Sequence, residues 1–190
     1  MPKEKNTVIA QSERLYLTFM TVEDAPAFAK WYNDPDCFGH SRDMAYQTTV
    51  EEQTRWIQAT NQDPTMKVYS VYYLPDDCLI GDGGFMHFDV ANRTAEIGYV
   101  IGEKQYWRMG LGKELRWLLC KFGFESLGLH NILGEHYATN PISLHNALKT
   151  GSRLIGTRRE SRFINGKHID VHYTDMLAHE LIKPPLKPQT

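Results

Sequence analysis

Cysteine, long apolar runs and surplus positive charge are all scarce in this chain of 190 residues. The three cysteines, Cys37, Cys78 and Cys120, form no Cys-x-x-Cys pair, which argues against a disulfide framework and a cysteine-based zinc site. No apolar run reaches the roughly 18 residues of a membrane helix, and the N-terminal segment lacks the apolar core of a secretory signal. Because 21 Lys and Arg residues stand against 23 Asp and Glu, nucleic acid and membranes are not expected as partners. We therefore expect a cytoplasmic globular protein.

Hydrophobic periodicity predicts one α/β domain over residues 1–182 and an extended proline-rich tail over residues 183–190. The predicted order of elements is β-α-α-β-β-β-α-β-α-β-β, with a mixed central sheet of about seven strands and about four helices. The strand–helix–strand unit in the middle implies a parallel crossover, and ligands of such sheets bind beyond the carboxyl ends of the strands. Residues 34–48 form an irregular stretch with aromatic side chains, which is typical of a substrate lid.

The sharpest local motif is Trp107-Arg108-Met109-Gly110-Leu111-Gly112-Lys113, which lies between a predicted strand and a predicted helix. The two glycines let backbone N–H groups approach a ligand, the helix N-terminus adds partial positive charge, and Arg108 and Lys113 add full charges. This combination suits a pyrophosphate. It is neither a P-loop, because Trp107 stands where the first glycine is needed, nor a G-x-G-x-x-G fingerprint. The alternative is a glycine-rich helix start that binds no ligand.

Five segments follow one another in a set order along residues 12–178: Ser12-Glu13-Arg14-Leu15-x-Leu17, Ala95-Glu96-Ile97-Gly98-Tyr99, Gly110-x-Gly112, Asn140-x-x-Ser143, and Phe163-Ile164-Asn165-Gly166 with Asp170-Val171. Together they resemble the GNAT superfamily of acyl-CoA-dependent N-acetyltransferases, in particular the branch of ribosomal-protein-alanine and spermidine N-acetyltransferases. The resemblance implies a GNAT-like fold, acetyl-CoA as co-substrate, and transfer of an acetyl group to a primary amine.

The same resemblance assigns roles to individual residues. The cofactor-binding residues that it implies are Tyr99, Val100, Ile101, Trp107, Arg108, Met109, Gly110, Leu111, Gly112, Lys113, Asn140 and Ser143. Glu96 matches the glutamate of the family's Ala-Glu-Ile-Gly segment and is the carboxylate best placed to take a proton from the amine. The alternative for Glu96 is a structural carboxylate inside the sheet. Backbone N–H groups of residues 99–101 are expected to stabilise the oxyanion of the tetrahedral intermediate.

Two positions depart from the family pattern. Trp107 holds the first position of the Q/R-x-x-G-x-G/A loop, as it often does in this branch. Ala147 replaces the tyrosine that acts as an acid in many members. Ser143 therefore becomes the candidate donor to the departing CoA sulfur, with Tyr137 next to be tested. The alternative for Ser143 is a polar residue in the first turn of a helix that Asn140 caps.

Several questions stay open at this point. The acceptor is a protein N-terminus, a polyamine or a small-molecule amine, and the protein is a monomer or a homodimer. Because the tyrosine is absent, a second function stays possible, namely a catalytically weak acyl-CoA-binding sensor. No metal is expected, although His168, Asp170 and His172 share one strand face. The side chains assigned to ordinary packing or strand positions are Trp31, Trp56, Trp117, His130 and His136.

Overall fold

The structure, a computed structural model, describes residues 7–41, 44 and 46–185. Within them the elements are β1 (Val8–Gln11), β2 (Leu15–Phe19), α1 (Ala25–Tyr32), α2 (Pro35–Phe38), α3 (Val50–Gln62), β3 (Lys67–Tyr73), β4 (Cys78–Asp89), β5 (Thr94–Ile101), α4 (Leu111–Glu125), β6 (Asn131–Tyr137), α5 (Pro141–Lys149), β7 (Arg153–Ile164) and β8 (Lys167–Leu177). Short 3-10 turns cover Val22–Asp24, Lys104–Tyr106 and Ala178–Glu180.

The described strands form one mixed sheet of eight, in the order β1-β2-β3-β4-β5-β6-β8-β7. All neighbours are antiparallel except β5 and β6, which are parallel and are joined through α4. The predicted mixed α/β sheet with a parallel crossover is therefore confirmed.

The parallel pair β5–β6 holds together over only three residue pairs, from Thr94–Asn131 to Glu96–Leu133. Beyond Glu96, β5 continues to Ile101 and pairs only with β4, while β6 continues to Tyr137 and pairs only with β8. The facing edges of β5 and β6 thus have no strand partner in the described chain. Unpaired strand edges carry N–H and C=O groups that an extended ligand can bind.

Each face of the sheet is covered by helices. On one face, α4 buries Leu111, Leu115, Leu118 and Leu119 against a core that includes Phe85 and Ile97. This is the helical spacing that the sequence shows. On the other face, α1 and α3 enclose a second cluster around Met20, Phe28, Trp31 and Ile57.

Two described elements, β1 and α2, were not predicted. β1 has four residues at the sheet edge and too little alternation to stand out from sequence. α2 lies inside the stretch that was expected to be irregular, because Asp34 accepts a hydrogen bond from the Asp36 N–H at 2.9 Å and Pro35 is the first helical residue. The same Asp-Pro pair thus ends one helix and caps the next.

The chain ends lie largely outside the described residues. This applies to residues 1–6, for which no secretory signal was predicted, and to residues 186–190 of the predicted tail. Residues 183–185 have no regular secondary structure. Among the described residues, no helix is both long and apolar enough to cross a membrane.

Candidate active site

A cavity of about 270 Å³ opens where β5 and β6 part. Its wall includes residues of β5, of β6 and of the start of α5: Glu96, Gly98, Tyr99, Val100, Glu135, His136, Tyr137, Asn140 and Ser143. Both predicted catalytic residues and four of the predicted cofactor-binding residues therefore lie on one cavity, although they are far apart in sequence. The segment 107–113 lies beyond this wall, in the connection from β5 into α4.

Glu96 lines the cavity, and its side chain is 21% exposed. Its Oε2 is 3.2 Å from Nδ1 of His87, a residue with φ +52° at an irregularity of β4. Burial raises the pKa of the Glu96 carboxyl, nearby Glu135 raises it further, and His87 opposes the rise. The carboxyl is thus tuned toward accepting a proton at a higher pH than an exposed glutamate.

Ser143 belongs to a chain of three polar side chains that joins α5 to β6 and β8. Its Oγ lies 2.8 Å from Nδ1 of His136, and Nε2 of His136 lies 2.9 Å from Oγ1 of Thr174. His136 is 3% exposed. Its burial, with the charges of Arg116 and His172, lowers its pKa to about 4, so the imidazole is neutral near pH 7.

A neutral imidazole donates one hydrogen bond and accepts the other, so the two hydrogen bonds that join Thr174, His136 and Ser143 run in one direction. In one tautomer, His136 donates to Ser143 and leaves the serine O–H free for a ligand. Assignment of His136 as an ordinary polar strand residue was wrong. The signal that points to it is period two along β6, which places His136 on the same buried side as Ile132 and Gly134.

The other candidate acids differ in their surroundings. Ala147 is fully buried in α5 and carries no proton donor. Tyr137 lines the cavity, with the Arg162 guanidinium 5.9 Å from its ring centroid. Burial raises the pKa of Tyr137.

The predicted pyrophosphate loop leads directly into α4. Gly110 is the N-cap at φ +81°, a conformation that favours glycine, and it provides no side-chain cap. The first amide groups of α4 are therefore left for an acceptor from outside the helix. A Cβ at Gly112 would lie 3.6 Å from Nδ2 of Asn146, an ordinary contact. Packing within the chain thus does not require glycine at position 112.

Two contacts fix this loop on the sheet. Nη1 of Arg14 donates to the Met109 carbonyl at 3.1 Å, while its Nε donates to Oε2 of Glu114 at 2.8 Å. Nε1 of Trp107 donates to the Ile101 carbonyl at 2.7 Å. The Ser12-Glu13-Arg14 segment and Trp107 therefore position the loop, since both are anchored inside the protein.

Sequence analysis missed a further group on the cavity wall. Asp82 of β4 lines the cavity, and so do the aromatic rings of Tyr32, Phe38 and Trp56. Trp31 is buried in the core as expected. Trp56 packs beside that core and also faces the cavity.

The three residues considered as a metal triad have separate partners. The His168 ring lies 5.0 Å from the Phe163 ring in a tilted arrangement, Asp170 accepts from the Glu160 N–H at 2.8 Å, and Nδ1 of His172 lies 2.8 Å from Oγ1 of Thr157. No cluster of His, Cys, Asp and Glu suited to a metal ion occurs in the part of the chain that the structure describes.

Comparison with known proteins shows which family this chain resembles. The chain matches the acetyltransferase (GNAT) domain family over residues 14–153. It is 30% identical over 172 residues to the uncharacterized N-acetyltransferase p20 of Bacillus licheniformis, covering 89% of this chain and 96% of that protein. It is 28% identical over 124 residues to the ribosomal-protein-serine acetyltransferase of Escherichia coli (strain K12), covering 64% of this chain and 69% of that protein.

The fold is shared with solved structures. The spermidine N-acetyltransferase from Vibrio cholerae, crystallised with CoA and spermine, has a TM-score of 0.81 at 21% sequence identity, covering 89% of this chain and 98% of that chain. The chain therefore belongs to the GNAT acetyltransferase family. It is an enzyme that transfers an acetyl group from acetyl-CoA to an amine, as the resemblance implied.

Proposed function

We propose that the cavity between β5 and β6 is where acetyl-CoA and the amine meet. The observation that carries the proposal is the parting of the two strands beside the uncapped N-terminus of α4. The residues present fit acetyl-CoA: free first-turn amides, with Arg108 and Lys113 nearby, suit the pyrophosphate, and the open edge of β5 suits the amide-bearing pantetheine arm. Asn140 and Ser143 line the same cavity.

In the proposed reaction, Glu96 takes a proton from the acceptor ammonium, directly or through water, because only the neutral amine has a free lone pair. Backbone N–H groups of residues 99–101 donate to the oxyanion as the amine attacks the thioester carbonyl. Ser143 donates a hydrogen bond to the departing sulfur. His136 supports that role when its Nδ1–H donates to Ser143, because the serine O–H then points toward the ligand.

The buried Ala147 favours one second candidate, an acyl-CoA-binding sensor with little turnover. Free-thiol release from acetyl-CoA with a panel of primary amines separates the two functions. An enzyme shows amine-dependent thiol release and acetylated product. A sensor shows thermal stabilisation by CoA but no amine-dependent thiol release.

The acceptor class, cytoplasmic location and a monomeric or homodimeric state are also part of the proposal. Three unpaired cysteines, two of them buried, support a reducing compartment. A relative acts on a ribosomal protein, and a solved neighbour binds spermine, so the names of similar proteins leave the type of amine open.

A further inference from the structure

Asp82 is a buried carboxylate on the wall of the cavity, and it forms no ion pair with the residues that the structure describes. Its residue is 6% exposed, and Oδ2 has no hydrogen-bond partner in the described part of the chain. Most buried polar atoms in proteins do have a partner, and burial without one costs free energy. Burial raises the pKa of Asp82 to about 7. A cationic ligand would supply the missing partner.

The strand register shows which way Asp82 faces. It lies opposite Ser70 of β3 and Val100 of β5. Ser70 donates from Oγ to Oδ2 of Asp24 at 2.7 Å, and Asp24 immediately precedes α1. Because directly paired residues of antiparallel strands share a face, Asp82 lies on the α1 side of the sheet, one strand from the open edge of β5.

Aromatic rings from the helices on that side complete the cavity. Tyr32 and Phe38 stack with ring centroids 4.1 Å apart, and the Trp56 ring lies 6.1 Å from that of Tyr32. All three residues line the cavity with Asp82. One unpartnered carboxylate beside aromatic faces matches a cation that carries an apolar substituent.

The other carboxylates on the cavity wall already have partners. Glu96 contacts His87, and Glu135 is 3.3 Å from Nη2 of Arg162. Asp82 is thus the carboxylate of the cavity wall whose Oδ2 lacks a partner among the described residues, and it offers a position for one cationic nitrogen.

Resting on the proposed function, we propose that Asp82 pairs with the ammonium group of the acceptor, a primary monoamine whose compact aromatic or apolar substituent packs against Tyr32, Phe38 and Trp56. Asp82 binds the ammonium group. Because Asp82 lies opposite Val100 and Glu96 lies opposite Met86, four positions further along the sheet, the proton reaches Glu96 through water.

The first test is binding of phenethylamine to the CoA-saturated protein by calorimetry. Asp82→Asn is expected to weaken binding at least ~10-fold, because the neutral amide cannot form the charge-assisted hydrogen bond that the carboxylate makes with an ammonium group. Glu125→Gln removes the same charge from an exposed site on α4 and is the matched control. Equal affinity of wild type and Asp82→Asn would overturn the role of Asp82.

Kinetics provide the second readout. Asp82→Asn is expected to raise the KM for phenethylamine at least ~10-fold and to leave the KM for acetyl-CoA within about 2-fold. Higher kcat/KM for spermidine or for a peptide N-terminus than for phenethylamine would overturn the acceptor class. If wild type releases no thiol with any amine, the proposed function is wrong, and the calorimetric comparison still decides whether Asp82 binds an ammonium.

A second variant keeps the test decisive if Asp82→Asn does not fold. Trp56→Leu removes one aromatic wall and leaves Asp82 in place. It is expected to raise the KM for phenethylamine about 10-fold and the KM for ethylamine less than about 2-fold, because only phenethylamine brings a large apolar surface. Equal effects on the two amines would contradict packing of the substituent on Trp56.

Discussion

Ser143 of α5 is hydrogen-bonded to the buried imidazole of His136 on β6, with 2.8 Å between Oγ and Nδ1. The serine is thereby tied to the strand that borders the open edge of the cavity. An isolated first-turn serine of a helix would rotate freely toward solvent. This one is held in a fixed position beside the site where CoA sulfur is expected.

Ser143→Ala is therefore predicted to lower kcat by roughly 10- to 100-fold and to leave CoA affinity within a few-fold. The reason is that a donor to the developing thiolate acts in the transition state more than in the bound complex. Steady-state kinetics with both substrates varied, together with CoA binding by calorimetry, measure the two effects. Normal turnover in a folded variant would assign the proton to solvent or to Tyr137.

His136→Phe is predicted to reduce kcat through Ser143 and not by contact with substrate. The combined Ser143→Ala/His136→Phe variant should then be little slower than Ser143→Ala alone, because coupled residues are not additive. Rate losses that multiply in the double variant would show that His136 acts independently of Ser143. Far-ultraviolet circular dichroism of each variant separates loss of rate from loss of fold.

Glu96→Gln is predicted to lower kcat by roughly 100-fold with little change in the KM for acetyl-CoA. Because burial raises the pKa of Glu96, activity of wild type should fall as the pH drops through that raised value. His87→Ala removes one of the two groups that oppose the rise, the other being Arg162, so this acidic limb should move to higher pH. An unmoved limb, or full activity of Glu96→Gln, would reject Glu96 as the base. Loss of folding would support its structural alternative.

Gly112→Val is predicted to raise the apparent dissociation constant for acetyl-CoA at least ~10-fold, because a side chain would obstruct the pyrophosphate at the start of α4. The nearest atom to a Cβ there belongs to Asn146 at an ordinary distance, so the variant should fold. Gly156→Ala, where a Cβ meets nothing within 4 Å, is the control. Unchanged acetyl-CoA affinity would remove this loop from the binding site.

Much of the fold follows from local sequence signals. The helix that Asn140 caps occurs as predicted. A capping box at Thr49 and Glu52 begins α3, and leucines at helical spacing form the buried face of α4. These signals are strong because each depends on residues within one or two helical turns. The elements that were missed, β1 and α2, have four residues each and give short patterns.

The site was only partly predictable, for a different reason. Glu96, Asn140 and Ser143 belong to segments that the resemblance identifies, and all three line the cavity. His136 and Asp82 do not belong to such segments. Their roles depend on strand register and burial. His136 of β6 contacts Ser143 of α5, and Asp82 of β4 lies on the side of the sheet that carries the aromatic residues of the cavity. Contacts between elements distant in sequence decide these environments, and periodicity along one strand shows only which face a residue takes.

Asp82 should also leave a signature in stability. Its pKa is raised from 3.8 to about 7, so between these values the unfolded chain loses a proton that the folded protein keeps. Stability without ligand should therefore fall as the pH rises from 4 to 7 and level off above that pH. Asp82→Asn abolishes this contribution. Its free energy of unfolding should exceed that of wild type by about 4 kcal/mol at pH 8, with no such gain at pH 4. Glu96, Glu135, His136 and Arg116, which share the cavity, are present in both proteins, so the difference between two urea-unfolding series isolates Asp82. A variant that is less stable than wild type at pH 8 would mean that the carboxylate is a structural partner in the sheet.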